Sequence, residues 1–233
     1  MLVIPHSHAK ECGDINLSMT PATGGGKETN METSRSSEKV RTAISMAQDD
    51  LAWIRASLEG LEIKGDHRHR IPGQLFDLSI EHHAGIITLI SMATYASAFA
   101  LVRCAFECFV RGAWIHYCAS EQEIEAFVEK DTIAPKFGDL IKAIEERPEF
   151  SVKFLSTVKQ SAWNAMNGYT HGGVHQVSRR LQGDYIEPAF DDDSLLEVVS
   201  FCRTMAFIAF GQIGSLAGRT DLVDQATDRM KKA

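Results

Sequence analysis

The chain has 233 residues, enough for one sizeable core, and its formal charge of −7 argues against a general nucleic-acid coat while leaving room for a local basic patch. Five cysteines, Cys12, Cys104, Cys108, Cys118 and Cys202, form no Cys-x-x-Cys pair, which argues against a disulfide frame or a zinc site and for reduced thiols in a cytoplasmic setting. Met1–Pro5 is too short an apolar start for a signal peptide.

Residues 1–36 contain GGGK and several Ser and Thr but almost no periodic apolar residues, so a disordered tail is expected, with Met31 an alternative start to Met1. Gly24–Lys27 lacks the Lys-Ser/Thr ending of a phosphate loop. The remainder, 37–233, reads as one helical domain.

From Ser37 the spacing of Val40, Ile44, Ala47, Leu51, Ile54 and Leu58 predicts a helix ending near Gly60. The basic stretch GDHRHRIPG, with His67, Arg68, His69 and Arg70, reads as a solvated loop, and Pro72 as the first turn of a helix reaching Ser91. Ala84–Val102 carries no charge and meets the length criterion for a membrane span. Its Ser and Thr content and the charges that follow at Arg103 favour a core helix, with a joint near Ala93 and Thr94 and no membrane association.

Ala96–Cys118 is apolar almost all round and is expected to lie inside the protein as the organising helix. Its charges Arg103, Glu107 and Arg111 are spaced i, i+4, i+8 and share one row, so burial would require them to pair. Ser120 and Glu123 mark a capping box opening a short acidic helix. Residues 121–149 hold nine carboxylates against four basic side chains, a face that repels nucleic acid.

A short amphipathic helix over 137–146 stops before Pro148, and a longer one runs from Phe150 to about Asn167. NGYTHGG breaks it; a further turn or two is expected over Val174–Leu181. Asp191–Asp193 favour the N-terminus of a helix over Ser194–Gly218, and Thr220 opens a final exposed helix. No long β alternation is present. The fold class is all-α, a bundle of four or five long helices plus short accessory ones.

Two loci are able to carry chemistry. In the Arg103, Glu107, Arg111 row, Glu107 can orient an arginine toward a phosphate or carboxylate; the alternative is an ion-pair ladder that fixes helix packing. The second locus is Asn164, Asn167, Tyr169, Thr170, His171 and His175, polar groups at a helix end beside two glycines. Between Phe150 and Gly183 there is no carboxylate, while Lys153, Lys159, Arg179 and Arg180 make this the one locally basic segment. The alternative here is an ordinary Gly-rich helix break. The intervening glycines prevent His171 and His175 from forming a regular i, i+4 metal pair, and no cofactor fingerprint occurs, so neither metal nor cofactor is expected.

His83, SAFALVRCAFECFVRGAW (Ser97–Trp114), the acidic helix and WNAMNGYTHGG (Trp163–Gly173) together resemble a group of bacterial all-α proteins related to the HEPN superfamily. The resemblance implies a helical bundle, often a homodimer, and a metal-independent ribonuclease of toxin–antitoxin or phage-defence systems, with RNA as ligand and an antitoxin as protein partner. The HEPN signature sets an Arg four to six residues before a His. Arg111 and His116 have that spacing, with Gly112 where the signature has a polar residue.

Five residues of regular helix separate two side chains by roughly 140°, so Arg111 and His116 do not converge on one helix. A more economical arrangement sets Arg103 or Arg111 opposite His171 on a facing helix, imidazole as general base and arginine at the phosphorus. The competing expectation is a non-catalytic interaction module whose polar row is structural.

Overall fold

A computed structural model of the chain describes residues 37–150 and 152–231. The expected tail, the GGGK stretch, the alternative start at Met31 and Cys12 lie outside them. Among the described residues there are nine α-helices, two 3-10 turns and no strand, an all-α fold. The helices are α1 (Glu38–Leu58), α2 (His67–Ser91), α3 (Tyr95–Tyr117), α4 (Glu121–Lys130), α5 (Phe137–Glu145), α6 (Phe154–Thr170), α7 (Val174–Val177), α8 (Asp192–Leu216) and α9 (Thr220–Lys231).

Helix α2 begins at His67, five residues earlier than Pro72 suggests, so the basic stretch is helical rather than loop. Proline has no N–H, so the carbonyl of Arg68 four residues back loses its helical donor. His116 Nδ1 stands 3.4 Å from that carbonyl oxygen. A carbonyl only accepts, so Nδ1 carries the proton. Met92–Thr94 joins α2 to α3: Ala93 takes φ +57° and Thr94 N–H donates to Leu89 O at 2.8 Å, closing α2 with a Schellman-type turn. The uncharged stretch 84–102 is therefore two helices folded back on each other.

Small groups set how closely α2 and α3 approach. Ser79 donates to Ala105 O at 2.9 Å, and a Cβ on Gly112 would stand 2.9 Å from Phe76 Cε1. Phe76, Phe99, Phe106 and Phe109 fill the space behind, each at most 1% exposed and each contributing about 1.5–3 kcal/mol by burial. Helix α6 lies antiparallel across α3: Phe99 near the start of α3 meets Tyr169 near the end of α6 at 4.9 Å, and Tyr117 at the end of α3 meets Phe150, just ahead of α6, at 5.1 Å. It starts at Phe154 rather than Phe150, because Pro148–Phe150 forms a 3-10 turn and Lys153 takes φ +52° at the helix cap.

The most buried helix is α8, with sixteen buried residues against twelve on α3, so the organising role expected of Ala96–Cys118 is shared. Helix α8 is long and apolar enough by composition to cross a membrane, and 67% of its apolar window is buried within the protein. Helix α9 is not an exposed appendage: Leu222, Val223 and Ala226 are buried. Asp50 on α1, 5% exposed, accepts from Arg203 on α8 and from Arg229 on α9 at 2.6 Å, tying three helices together.

Candidate functional site

Helix α3 is not buried all round. Its Arg103, Glu107 and Arg111 face is a half-open flank: the side chains are 22%, 18% and 44% exposed. The apolar pattern misses this because the flank is narrow, a single row with Cys104 and Cys108 beside it, both half-buried. Burial pushes the Cys108 thiol up to about 11, with Arg111 opposing, so it is not a reactive thiolate at neutral pH.

Within the row Arg103 Nε donates to Glu107 Oε1 at 2.7 Å and Arg111 Nη2 to Glu107 Oε2 at 3.2 Å. Glu107 thus holds two guanidinium groups, one through each oxygen. Arg103 also reaches across to α6, where its Nη1 stands 2.7 Å from His171 Nε2. Arginine only donates, so Nε2 is the unprotonated, accepting nitrogen and the proton of the neutral ring lies on Nδ1.

The NGYTHGG segment places that imidazole. His171 ends α6 with its N–H donated to Asn167 O at 3.0 Å, Gly172 takes φ +68°, and Gly173 N–H donates to Gly168 O at 2.7 Å. This closes α6 in a Schellman turn, for which the left-handed Gly172 is suited. A Cβ on Gly173 would lie 2.9 Å from Gly168 Cα, so the turn is also sterically closed to larger residues. His171 is left exposed at the rim. Asn167 lies one turn earlier on the same face, with Oδ1 buried and without a hydrogen-bond partner among the described residues.

Trp163 completes the face. It is spaced i−4 from Asn167 and i−8 from His171, the same interval as the row on α3. Arg103 lies over its ring, Cζ 5.0 Å from the centroid, and Phe137 of α5 stacks on it at 4.5 Å and 14°. The signal was present in that spacing, but a tryptophan in an amphipathic helix reads as core.

The remaining sequence-derived residues are elsewhere. His116 is thirteen residues from Arg103 along α3, about 20 Å away. Its ring packs against Tyr117 at 4.4 Å and His69 at 5.8 Å, and burial lowers its pKa. Arg111 instead pairs with Glu107, so the RGAWIH spacing joins no pair. Tyr169 is 1% exposed, in an aromatic cluster with Phe99 and Phe190; burial raises its pKa and nearby Arg179 opposes. Arg179 is 2% exposed and donates to Asp191 Oδ2 at 2.9 Å and Ser194 Oγ at 3.2 Å, a tie between the α7 turn and the start of α8. His175 is half-buried against Gly168, and Arg180 is exposed. Among the described residues no group of three His, Cys, Asp or Glu could hold a metal ion.

Residues 76–232 match a family model described as Family of unknown function (DUF6988), and the chain belongs to that family. No curated protein matches the chain, and no solved structure does.

Proposed function

We propose that this member of a family of unknown function binds single-stranded RNA across the α3–α6 face and cleaves it without a metal. The observation that carries the reading is the 2.7 Å contact between Arg103 and an exposed His171, two groups of suitable chemistry supplied by separate helices at a solvent-reachable rim. Beside it stands Arg111, a half-exposed guanidinium held by Glu107.

In the free protein the Nε2 lone pair is occupied by Arg103. A phosphodiester arriving at Arg103 and Arg111 takes over the Nη1 donor, being a stronger, charged acceptor than imidazole. The lone pair is then available to a ribose 2′-hydroxyl. Nε2 takes the hydroxyl proton, the 2′-oxygen forms a bond to the adjacent phosphorus, and the bond from phosphorus to the 5′-oxygen breaks. The two arginines stabilise the charge on the equatorial oxygens, and water protonates the leaving 5′-oxygen. The products are a 2′,3′-cyclic phosphate and a 5′-hydroxyl.

A second reading has its own observation. Both arginines and Glu107 are already paired within the chain, so the row is also a complete helix-packing device requiring no ligand. On that reading the protein is a non-catalytic interaction module.

Expression of the wild type and of His171→Ala in bacteria separates the two. The ribonuclease reading predicts slowed growth and fragmented RNA with the wild type and neither with the variant, at equal levels of folded protein. Indistinguishable cultures would remove it in favour of the structural row.

A further inference from the structure

A partly enclosed cavity lies where the end of α5, the Pro148–Phe150 turn, the start of α6 and the inner faces of α3 and α8 meet. It offers about 20 Å³ to the centre of a water-sized group, room for one small head group. Its apolar wall includes Phe109, Phe150 and Phe154, all buried. Its polar lining is Glu145, Glu149 and Gln212. Gln212 is 4% exposed; its Oε1 accepts from the Tyr117 hydroxyl at 2.8 Å, and its Nε2 has no hydrogen bond among the described residues. Glu149 Oε2 is buried and likewise without a hydrogen-bond partner there. Burial raises the Tyr117 pKa and the Glu149 charge raises it further, with the Gln212 bond and Arg147 opposing, so that carboxylate stands near the Tyr117–Gln212 pair. Buried polar groups in this state carry a desolvation cost that a hydrogen-bonding ligand recovers.

Charge and donor count select the ligand. Glu145 Oε1 accepts from Ser156 N–H at 2.9 Å, and no ion pair among the described residues offsets its charge. Glu149 has one cation near it, Arg147 Nε at 3.8 Å. Two carboxylates against one guanidinium leave a single negative charge, which a monovalent cation balances. Hard divalent ions take about six or more oxygen ligands, more than this lining supplies, and no three His, Cys, Asp or Glu side chains converge for a transition metal among the described residues. An ammonium group is attracted to aromatic rings, and a primary one carries three N–H donors, one for each polar side chain of the lining. Gln212 offers its oxygen by turning over, because the Tyr117 hydroxyl accepts as well as donates. We propose that this cavity binds the head group of a primary aliphatic amine, its three N–H donors shared among Glu145, Glu149 and Gln212. The proposal is independent of what the Arg103–His171 face binds.

The test is titration of the full chain with methylammonium chloride, followed through the side-chain amide signals of Gln212 in nitrogen-15 NMR spectra. Tetramethylammonium chloride at equal ionic strength carries the same charge and no N–H donor. Methylammonium is expected to saturate with a Kd of about a millimolar, the strength open to so few atoms, and tetramethylammonium to leave the signals in place. Glu149→Gln keeps the shape and removes the charge; it should weaken binding about tenfold or more with the helical circular dichroism unchanged. Arg147→Gln removes the half-exposed counter-charge and should tighten binding about two- to five-fold, the opposite direction. Gln212 signals that methylammonium does not move overturn the proposal, the cavity then holding water alone. So do equal shifts with tetramethylammonium, or binding that either variant leaves unchanged.

Discussion

Arg103 has four neighbours of different kinds, Glu107, His171, Trp163 and, through Glu107, Arg111, and its guanidinium sets the state of the imidazole. With Nε2 accepting at 2.7 Å, free His171 is held as the Nδ1-protonated tautomer. Nitrogen-15 spectra of the ring should show Nε2 as the unprotonated nitrogen at neutral pH, and Arg103→Ala should give the mixed tautomers of a free histidine. Buried His83 and half-buried Glu197 give opposite pH slopes. Burial holds His83 down to about 4, with Arg203 adding and Asp50 opposing. The unfolded chain takes a proton near 6.5 that the folded chain refuses until about 4, so this term lowers stability as pH drops through that window. Burial raises Glu197 to about 7, helped by Asp191, from an ordinary 4.5. Here the folded chain keeps a proton the unfolded one has lost, so stability falls as pH rises over nearly the same window. Urea midpoints between these limits should tilt toward higher stability at high pH in Glu197→Gln, and toward higher stability at low pH in His83→Gln.

The turn that ends α6 separates steric closure from backbone strain. Gly173→Ala meets Gly168 backbone at 2.9 Å, whereas Gly172→Ala meets only the far end of Gln176 at 3.9 Å and bears the left-handed φ alone. The expected order of destabilisation is Gly173→Ala above Gly172→Ala, the latter costing about 1 kcal/mol, read from thermal melts. Helix existence along this chain was legible because apolar periodicity and caps agree, as at Ser120–Glu123, where both capping bonds form. Boundaries were less so. The basic start of α2 reads as loop until Arg68 is seen donating to Glu121 at 2.6 Å, a contact 53 residues distant. The arginine row and the glycine-bounded histidine were visible as types, but their facing arrangement came from the family resemblance, since 68 residues between Arg103 and His171 carry no pairing signal. Trp163 was marked only by its spacing from Asn167 and His171, and the buried tie at Asp50 was not visible, since an aspartate beside Asp49 in an amphipathic helix carries no sign that two arginines over 150 residues away will close on it.

At the scale of the whole molecule, that tie matters for stability and the α3–α6 face for the proposed activity. Asp50 is 5% exposed between Arg203 and Arg229, whose side chains are 19% and 37% exposed. Removing the shared carboxylate strands a mostly buried guanidinium, so Asp50→Ala should lose about 3 kcal/mol in chemical denaturation, more than Arg229→Ala, whose loss leaves the deeper pair in place. The α3–α6 face lies on the other side of α3 from its packing with α2, so these losses should leave it intact. The direct test of that face uses purified chain with a chelator, a single-stranded oligoribonucleotide and its all-deoxy counterpart. Cleavage of the RNA alone to 2′,3′-cyclic phosphate ends is expected, slowed about 10²–10⁴-fold by His171→Ala. RNA left intact by the wild type, or cut equally by the variant, would contradict it.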